Sequence, residues 1–320
     1  MKILIVFILA MWSAFNVLAQ PATYPAKPIR LLVGYAPGGA TDIVARTIAT
    51  KLQESLGQPV IVENKPGATS NIATEMVVKA QPDGYTLLLG TIANATNMTA
   101  YKNPGYDTLR DLVPITQTMS APSVLALHPS VPAKSLRELI ALAKAQPGKL
   151  TYASSGTGGS PHLAGELLKL RAGIDLLHIP YKGATPGMTD LLGGQVTMSF
   201  QTALSAIPHL QSGKLNVIAV AATKRMTLLP NVPTMAEAGL PDFEVSSWNG
   251  LFAPAKTPPE IIARLHQATV KVLAQPEVRD KLAAQGAESV GNTPEEFRAY
   301  VRAEIDKWAR VIRASGMPIE

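Results

Sequence analysis

Two short stretches combine residue types that can hold a charged ligand through backbone rather than ionised side chains. The first, residues 31–46, reads LLVGYAPGGATDIVAR. The apolar run from Ile29 to Val33 reads as a buried parallel strand. It breaks at Gly34, passes Tyr35 and Pro37-Gly38-Gly39, and gives way near Ala40, Thr41 and Asp42 to a helix. Val44, Ile48, Leu52 and Leu56 recur along that helix until Gly57 stops it. Glycines let backbone approach a ligand, and the N–H groups of a first helical turn have no intrahelical partner. Strand, loop and helix start are therefore expected to form an anion receptor, with Asp42 as a cap or loop clamp. Gly34, Gly39 and Thr41 match the spacing of the phosphate loop G-x-x-x-x-G-K-[ST], but Ala40 stands in the lysine position. That substitution argues against nucleotide triphosphate chemistry.

The second stretch is Ser154, Ser155, Gly156, Thr157, Gly158, Gly159 and Ser160, followed by Pro161 at the first turn of another helix. Hydroxyls, glycine backbone and a helix start lie together in one loop. His162 follows it, and Tyr181-Lys182-Gly183 follows the next strand, where Lys182 could neutralise a carboxylate. Asn71, in the loop of residues 66–71, and Thr91, in residues 90–98, complete the expected ligand-binding set. A hydrolase elbow G-x-S-x-G centred on Ser154 would need glycine at 152, where Tyr152 stands. No carboxylate is spaced to orient a base toward Ser154 or Ser155. His128, His162, His178, His209 and His266 show no short metal-ligand spacing. No metal, cofactor or catalytic residue is expected.

The elements that must position these loops follow a βαβαβ rhythm. Strand-like runs at 29–33, 60–63 and 85–89 alternate with helices from Thr41 and from about Asn71 to Ala80. Ligands of such sheets bind beyond the carboxyl ends of the strands. A second βα series begins with residues 124–127 and continues through 150–153, 176–179, 196–200 and 215–221. Helical patterning returns after Pro230, except for a run around 248–253. Capping boxes are expected at Ser135–Glu138, Thr257–Glu260 and Thr293–Glu296. In the last helix Phe297, Val301, Ile305, Trp308 and Ile312 share a face that is expected to pack on the first lobe. The expected organisation is α/β: a leader over 1–19, one lobe from 20–122 and 230–320, and an inserted lobe from 123–229.

Composition bounds the possibilities. Hydrophobic content of 47% with 16% charged residues describes a folded chain, and 26 prolines with 24 glycines point to many short connections. Met1-Lys2, an apolar run to Val17 and small residues at Val17 and Ala19 read as an export signal cleaved near Ala19. The absence of cysteine excludes disulfides, thiolate metal sites and a lipid-modified N-terminal cysteine. A net charge of +6 is spread without a basic run, so nucleic-acid binding is not expected.

The motifs YAPGGATDIVAR, VIVENKPGA, PDGYTLLLG, LHPSVPAKSL, YASSGTGGSPHL, IPYKGATP and NVPTMAEAGLP occur in an order that resembles the Bug family. These are periplasmic substrate-binding proteins of the tripartite tricarboxylate transporter type. The resemblance implies a two-lobed Venus-flytrap fold of type II, each lobe a mostly parallel sheet flanked by helices. It also implies a monomer that closes on a small organic anion, commonly a mono- or dicarboxylate, and passes it to membrane transporter components. In the family the loop matching Tyr35 to Asp42 holds a ligand carboxylate through backbone amides, and the loops matching Ser154 to His162 and Tyr181 to Gly183 face it. Thr69-Ser70 stands where the family often has glycines, so the pocket is expected to be smaller or differently polar there. The alternatives are a ligand sensor signalling to a membrane partner, and an exported hydrolase using Ser154, Ser155 or His162.

Overall fold

The computed structural model describes residues 24–284 and 286–317; the expected leader lies outside the described residues. In the first lobe β1 (Ile29–Val33) feeds α1 (Ala40–Leu56), which ends where Gly57 turns left-handed at φ 72° and donates its N–H to the Gln53 carbonyl. β2 (Val60–Asn64) lies parallel to β1 on one side, and β3 (Thr86–Thr91) lies parallel on the other. Between them come a single 3₁₀ turn, Ala68–Ser70, and α2 (Asn71–Val78). Val44, Ile48, Leu52 and Leu56 bury their stripe against Ile29, Leu31 and Val33. The four-residue spacing read from the sequence thus becomes the helix–sheet seam.

After β3 the chain forms α3 (Ala93–Ala100) and α4 (Thr108–Asp111), then enters β4, a strand of 16 residues from Leu112 to Leu127. The sequence suggested a strand only over 124–127. Pro114 and Pro122 hid the rest, because proline cannot donate to a ladder. A register shift accommodates Pro114, between it and Thr116, and a second lies between Gln117 and Met119, while Pro122 stays in register opposite Ser246. Its partner changes at Pro122/Ser123, from β9 to β7 and β8.

The second lobe follows with α5 (Leu136–Ala145), β5 (Thr151–Ser154), α6 (Ser160–Ala172), β6 (Leu177–Pro180), α7 (Ala184–Leu192), β7 (Met198–Thr202), α8 (Ala203–Gln211) and β8 (Asn216–Ala221). β5 pairs parallel with β6 and β7, echoing the parallel triplet of the first lobe. β9 (Ser246–Pro254) then runs antiparallel to both β3 and β4. The order is β2-β1-β3-β9-β4-β7-β5-β6, so the antiparallel strands β4 and β9 join two parallel triplets into one mixed sheet. α9 (Pro259–Leu273), α10 (Pro276–Ala283), β10 (Glu288–Ser289) and α11 (Pro294–Ser315) complete the chain.

α11 buries Phe297, Val301, Trp308 and Ile312. It touches α3 and β4 but also α6 of the second lobe, a wider seat than the first lobe alone. Phe297 packs edge-on to Trp248 and tilted on Phe252, and a Cβ added at Gly250 would sit 2.1 Å from its ring. The buried Glu304 carboxylate accepts both the Trp248 and Trp308 indole N–H groups, at 3.1 and 2.9 Å. The Thr293–Glu296 capping box is present. At Ser135 only half of one forms, because the Glu138 carboxylate accepts the Lys134 N–H instead. The box expected at Thr257 is absent: α9 begins after Pro258, and the Thr257 hydroxyl donates back to the Pro254 carbonyl.

Gly250→Ala should lower unfolding free energy by roughly 1–3 kcal/mol, the usual cost of overpacking. Urea unfolding followed by tryptophan fluorescence checks this; an unchanged midpoint would contradict the Phe297 contact.

Candidate functional site

The first glycine loop is held from behind by one carboxylate. Asp42 in the first turn of α1 is 3% exposed and does not cap the helix; the N-cap is Gly39. Its Oδ2 accepts the Gly38 N–H and the Arg46 Nε–H, each at 3.0 Å, and its Oδ1 accepts the Asn64 amide at 2.9 Å. Asn64 also donates to the Tyr35 carbonyl, so helix, loop and the end of β2 are tied together. Burial raises the Asp42 pKa, but Arg46, Gly38 and Asn64 outweigh it and hold the carboxyl below its ordinary value. Asp42 therefore acts as the loop clamp, directed away from the cleft.

The second loop rests on a stacked histidine pair. His162 and His178 lie 3.8 Å apart and 6° from parallel, with Tyr152 against His178. His162 Nδ1 accepts the Gly158 N–H at 3.0 Å. His178 Nε2 lies 2.6 Å from Ser154 Oγ, which accepts the Gly156 N–H in its own turn. The burial of His162, with Lys169 adding a smaller push, lowers its pKa to about 4. It is therefore neutral and an acceptor, as the bond to Gly158 requires.

Between the loops lies a cavity of about 70 Å³. Of the residues expected from the sequence it is lined by Tyr35, Gly39, Ala40, Thr41, Thr91, Ser155 and Ser160. The starts of α1, α6, α7 and α8 reach its wall, and none has a side-chain cap. α3 also begins there, with the Ala93 N–H taken by Thr91 Oγ1 and the Thr91 hydroxyl 3.3 Å from that of Tyr35. Among the described residues no Lys, Arg, His, Asp or Glu lines the cavity. First-turn N–H groups and helix dipoles, with no ionised side chain in the cavity wall among the described residues, make a receptor for an anion.

Asp42, Asn71, Ser154 and His162 do not line this cavity. Asn71 Oδ1 is buried and accepts Asn97 Nδ2 and the Tyr106 hydroxyl, which makes it an internal brace. Ser154 and His162 support the loop from below. Pro37, Gly38 and Gly158 are also outside the lining: a Cβ on Gly38 would sit 3.9 Å from Thr185 Oγ1, and one on Gly158 3.1 Å from Ala100. Gly156, Thr157, Tyr181 and Lys182 line an outer vestibule of about 370 Å³ that shares Tyr35 and Ser155 with the inner cavity. The Tyr181 hydroxyl turns away to donate to Asp190 at 2.6 Å. Lys182 is thus beside the entrance rather than inside.

The sequence reading missed Ile92, Met119, Gln201, Thr202, Ser247, Trp248 and Asn249, all in the lining. Most come from β4, β7 and β9, and their types carry no motif. Met119, Ile92 and Trp248 give the cavity an apolar side.

The lobes touch directly around the vestibule. Thr69 Oγ1 donates to the Thr157 carbonyl at 2.7 Å, and Thr96 Oγ1 to the Gly158 carbonyl at 2.6 Å. Thr69-Ser70 therefore does not shrink the inner cavity: Thr69 faces the vestibule and bridges the lobes, and Ser70 packs on Gly34. Gly156, at φ 127°, has no room for a Cβ, which would sit 2.8 Å from Thr69 Oγ1. Gly156→Ala should strain the loop and break the Thr69 bridge, weakening ligand binding at least tenfold by calorimetry; unchanged affinity would remove this contact from the closed state. For His162, the folded pKa near 4 lies below the ordinary 6.5. The unfolded chain takes up a proton between those values that the folded chain refuses, so stability falls as pH drops through that window, by at most roughly 3 kcal/mol. His162→Asn, whose Oδ1 takes the place of Nδ1, should flatten that slope in denaturant titrations at stepped pH. An unaltered slope would contradict the assignment.

Known proteins share this arrangement. The family model described as tripartite tricarboxylate transporter family receptor matches residues 44–317. Protein BugT of Bordetella pertussis is 41% identical over 300 residues, 93% of this chain and 92% of BugT. The structure of periplasmic binding protein BugD superposes with a TM-score of 0.89 at 37% identity, covering 92% of this chain and 99% of BugD. MatC from Rhodopseudomonas palustris, solved with bound malate, gives a TM-score of 0.87 at 32% identity over 90% of this chain and all of its own. An R. palustris protein solved with adipate gives 0.90 at 35% identity, over 92% of this chain and 99% of its own. The chain belongs to the tripartite tricarboxylate transporter receptor family, the Bug proteins, and has their two-lobed periplasmic binding protein fold.

Proposed function

We propose that this chain is a periplasmic solute-binding protein that captures a small organic carboxylate between its lobes and delivers it to the membrane components of a tripartite tricarboxylate-type transporter. The observation that carries the reading is the convergence of four uncapped helix starts on a cavity without ionised side chains. A carboxylate there is held by charge-assisted backbone bonds from both lobes. Only the closed arrangement offers both sets of donors, so the ligand selects it. Several such bonds suit micromolar affinity, roughly −8 kcal/mol. The adipate and malate bound by structural relatives agree with this ligand chemistry.

Ser154 Oγ beside His178 is the contact that favours an exported hydrolase. The serine is 3% exposed, bonded within its own turn and outside the cavity lining, which suits a brace better than a nucleophile. A sensor that signals to a membrane partner would use the same binding step and differ only in what the closed form meets.

Titration with a panel of small carboxylates should raise the melting temperature and reduce the radius of gyration in solution scattering. Amides and amines of the same carbon skeleton should do neither. If the amides stabilise the protein as well as the acids do, the anion reading fails.

A further inference from the structure

Asn249 is a carboxamide in the cavity lining whose bonding the protein leaves incomplete. It is 4% exposed, on β9, one of the antiparallel strands that join the two parallel triplets. Its Nδ2 reaches only Thr41 Oγ1 and the Gly90 carbonyl, both at the limiting distance of 3.5 Å. Its Oδ1 accepts no hydrogen bond among the described residues and is open to the cavity rather than sealed in protein. The neighbouring carboxamide is different: Gln201 Nε2 donates to Ser199 Oγ at 2.8 Å, and its Oε1 accepts from Ser205. Asn249 also stands beside Thr41, in the first turn of the helix whose start is proposed to hold the carboxylate. A buried amide with an open acceptor and weakly used donors fits a group that both donates and accepts.

Size and charge narrow the class further. The cavity is small, about 70 Å³, which favours an acid of few carbon atoms. A second carboxylate inside would sit close to the first, with no cationic side chain among the lining residues to offset their repulsion. A longer diacid would have to extend through the neck between Tyr35 and Ser155 toward Lys182 in the vestibule. We propose that the inner cavity takes a short monocarboxylate carrying a hydroxyl, and that Asn249 is the specificity-determining residue that pairs with that hydroxyl. This rests on the carboxylate reading above. A site built to bond a hydroxyl rejects the analogue lacking it, because the buried amide is then left unpaired.

Calorimetric titration with lactate, propionate, 3-hydroxybutyrate, butyrate, succinate and adipate tests this. At least one hydroxy acid should bind tenfold or more tighter than its parent acid, and tighter than either diacid. Parent acids binding equally well, or a diacid binding tighter, would overturn the proposal while leaving the carboxylate reading intact. If none of the six binds, both fall. Asn249→Leu should bring the hydroxy-to-parent affinity ratio close to one, and retention of a tenfold ratio would remove Asn249 from the role. Asn249→Asp keeps the shape of the side chain and places a negative charge beside the ligand, so it should weaken the hydroxy acid at least a hundredfold. Near-normal binding by that variant would also count against the proposal. Circular dichroism melts of both variants establish that they are folded.

Discussion

The structure depends on helix starts at the cavity wall that the chain leaves without a side-chain cap. α1, α6, α7 and α8 begin at the cavity wall, and at three of them the N-cap is glycine: Gly39, Gly159 and Gly183. Glycine has no side chain to accept the first-turn N–H groups. Elsewhere the chain does supply acceptors, as Asp107, Ser135 and Thr293 show at α4, α5 and α11. A buried donor without a partner costs about 1–3 kcal/mol. In the proposed function, a ligand acceptor that enters from outside would remove that cost at several groups together and make the closed form more stable when ligand is bound. The site's chemistry is thus set by what the N-cap residues lack.

Donors in a flexible loop would not be pre-aimed, so the supports behind the loops matter as much as the loops. Asp42, Asn64 and Arg46 fix the first loop, and the histidine pair fixes the second, with every one of these side chains turned away from the ligand cavity. The 3₁₀ turn adds a more strained element. Ala68, Thr69 and Ser70 all have positive φ, at 43°, 46° and 73°, a conformation that costs roughly 1–2 kcal/mol per residue. Thr69 is held there by Asn97 within its own lobe and by the Thr157 carbonyl of the other. Part of what holds this turn therefore exists only when the lobes meet.

Both glycine loops were legible in the sequence because their chemistry is local. Strand, glycines and helix start follow one another within a few residues, and Ala40 in the lysine position separates the first loop from a phosphate loop whose spacing it shares. The back wall was not legible. Met119, Ser247, Trp248 and Asn249 arrive on strands far apart in the chain, and β4 was concealed by Pro114 and Pro122. Neighbouring residues also exchange roles in ways composition does not reveal: Ser155 lines the cavity while Ser154, one residue earlier at the end of β5, bonds back to His178. His162, at a helix start, reads from sequence either as a ligand residue or as a local hydrogen-bonder, and its burial and its bond from the Gly158 N–H fit the second. Lys182 has the charge expected for an anion site, and the fold places it at the entrance.

The central claim is that backbone amides at the helix starts, rather than a cationic side chain, hold the ligand's carboxylate. Amide proton and nitrogen chemical shifts of the isotope-labelled protein, followed while a bound carboxylate is titrated in, test it most directly. The account predicts the largest downfield amide proton shifts at Ala40 and Thr41 and at the first residues of α7 and α8, with Lys182→Ala leaving that pattern in place. Shifts confined to the vestibule around Thr157 and Lys182, abolished by Lys182→Ala, would contradict it.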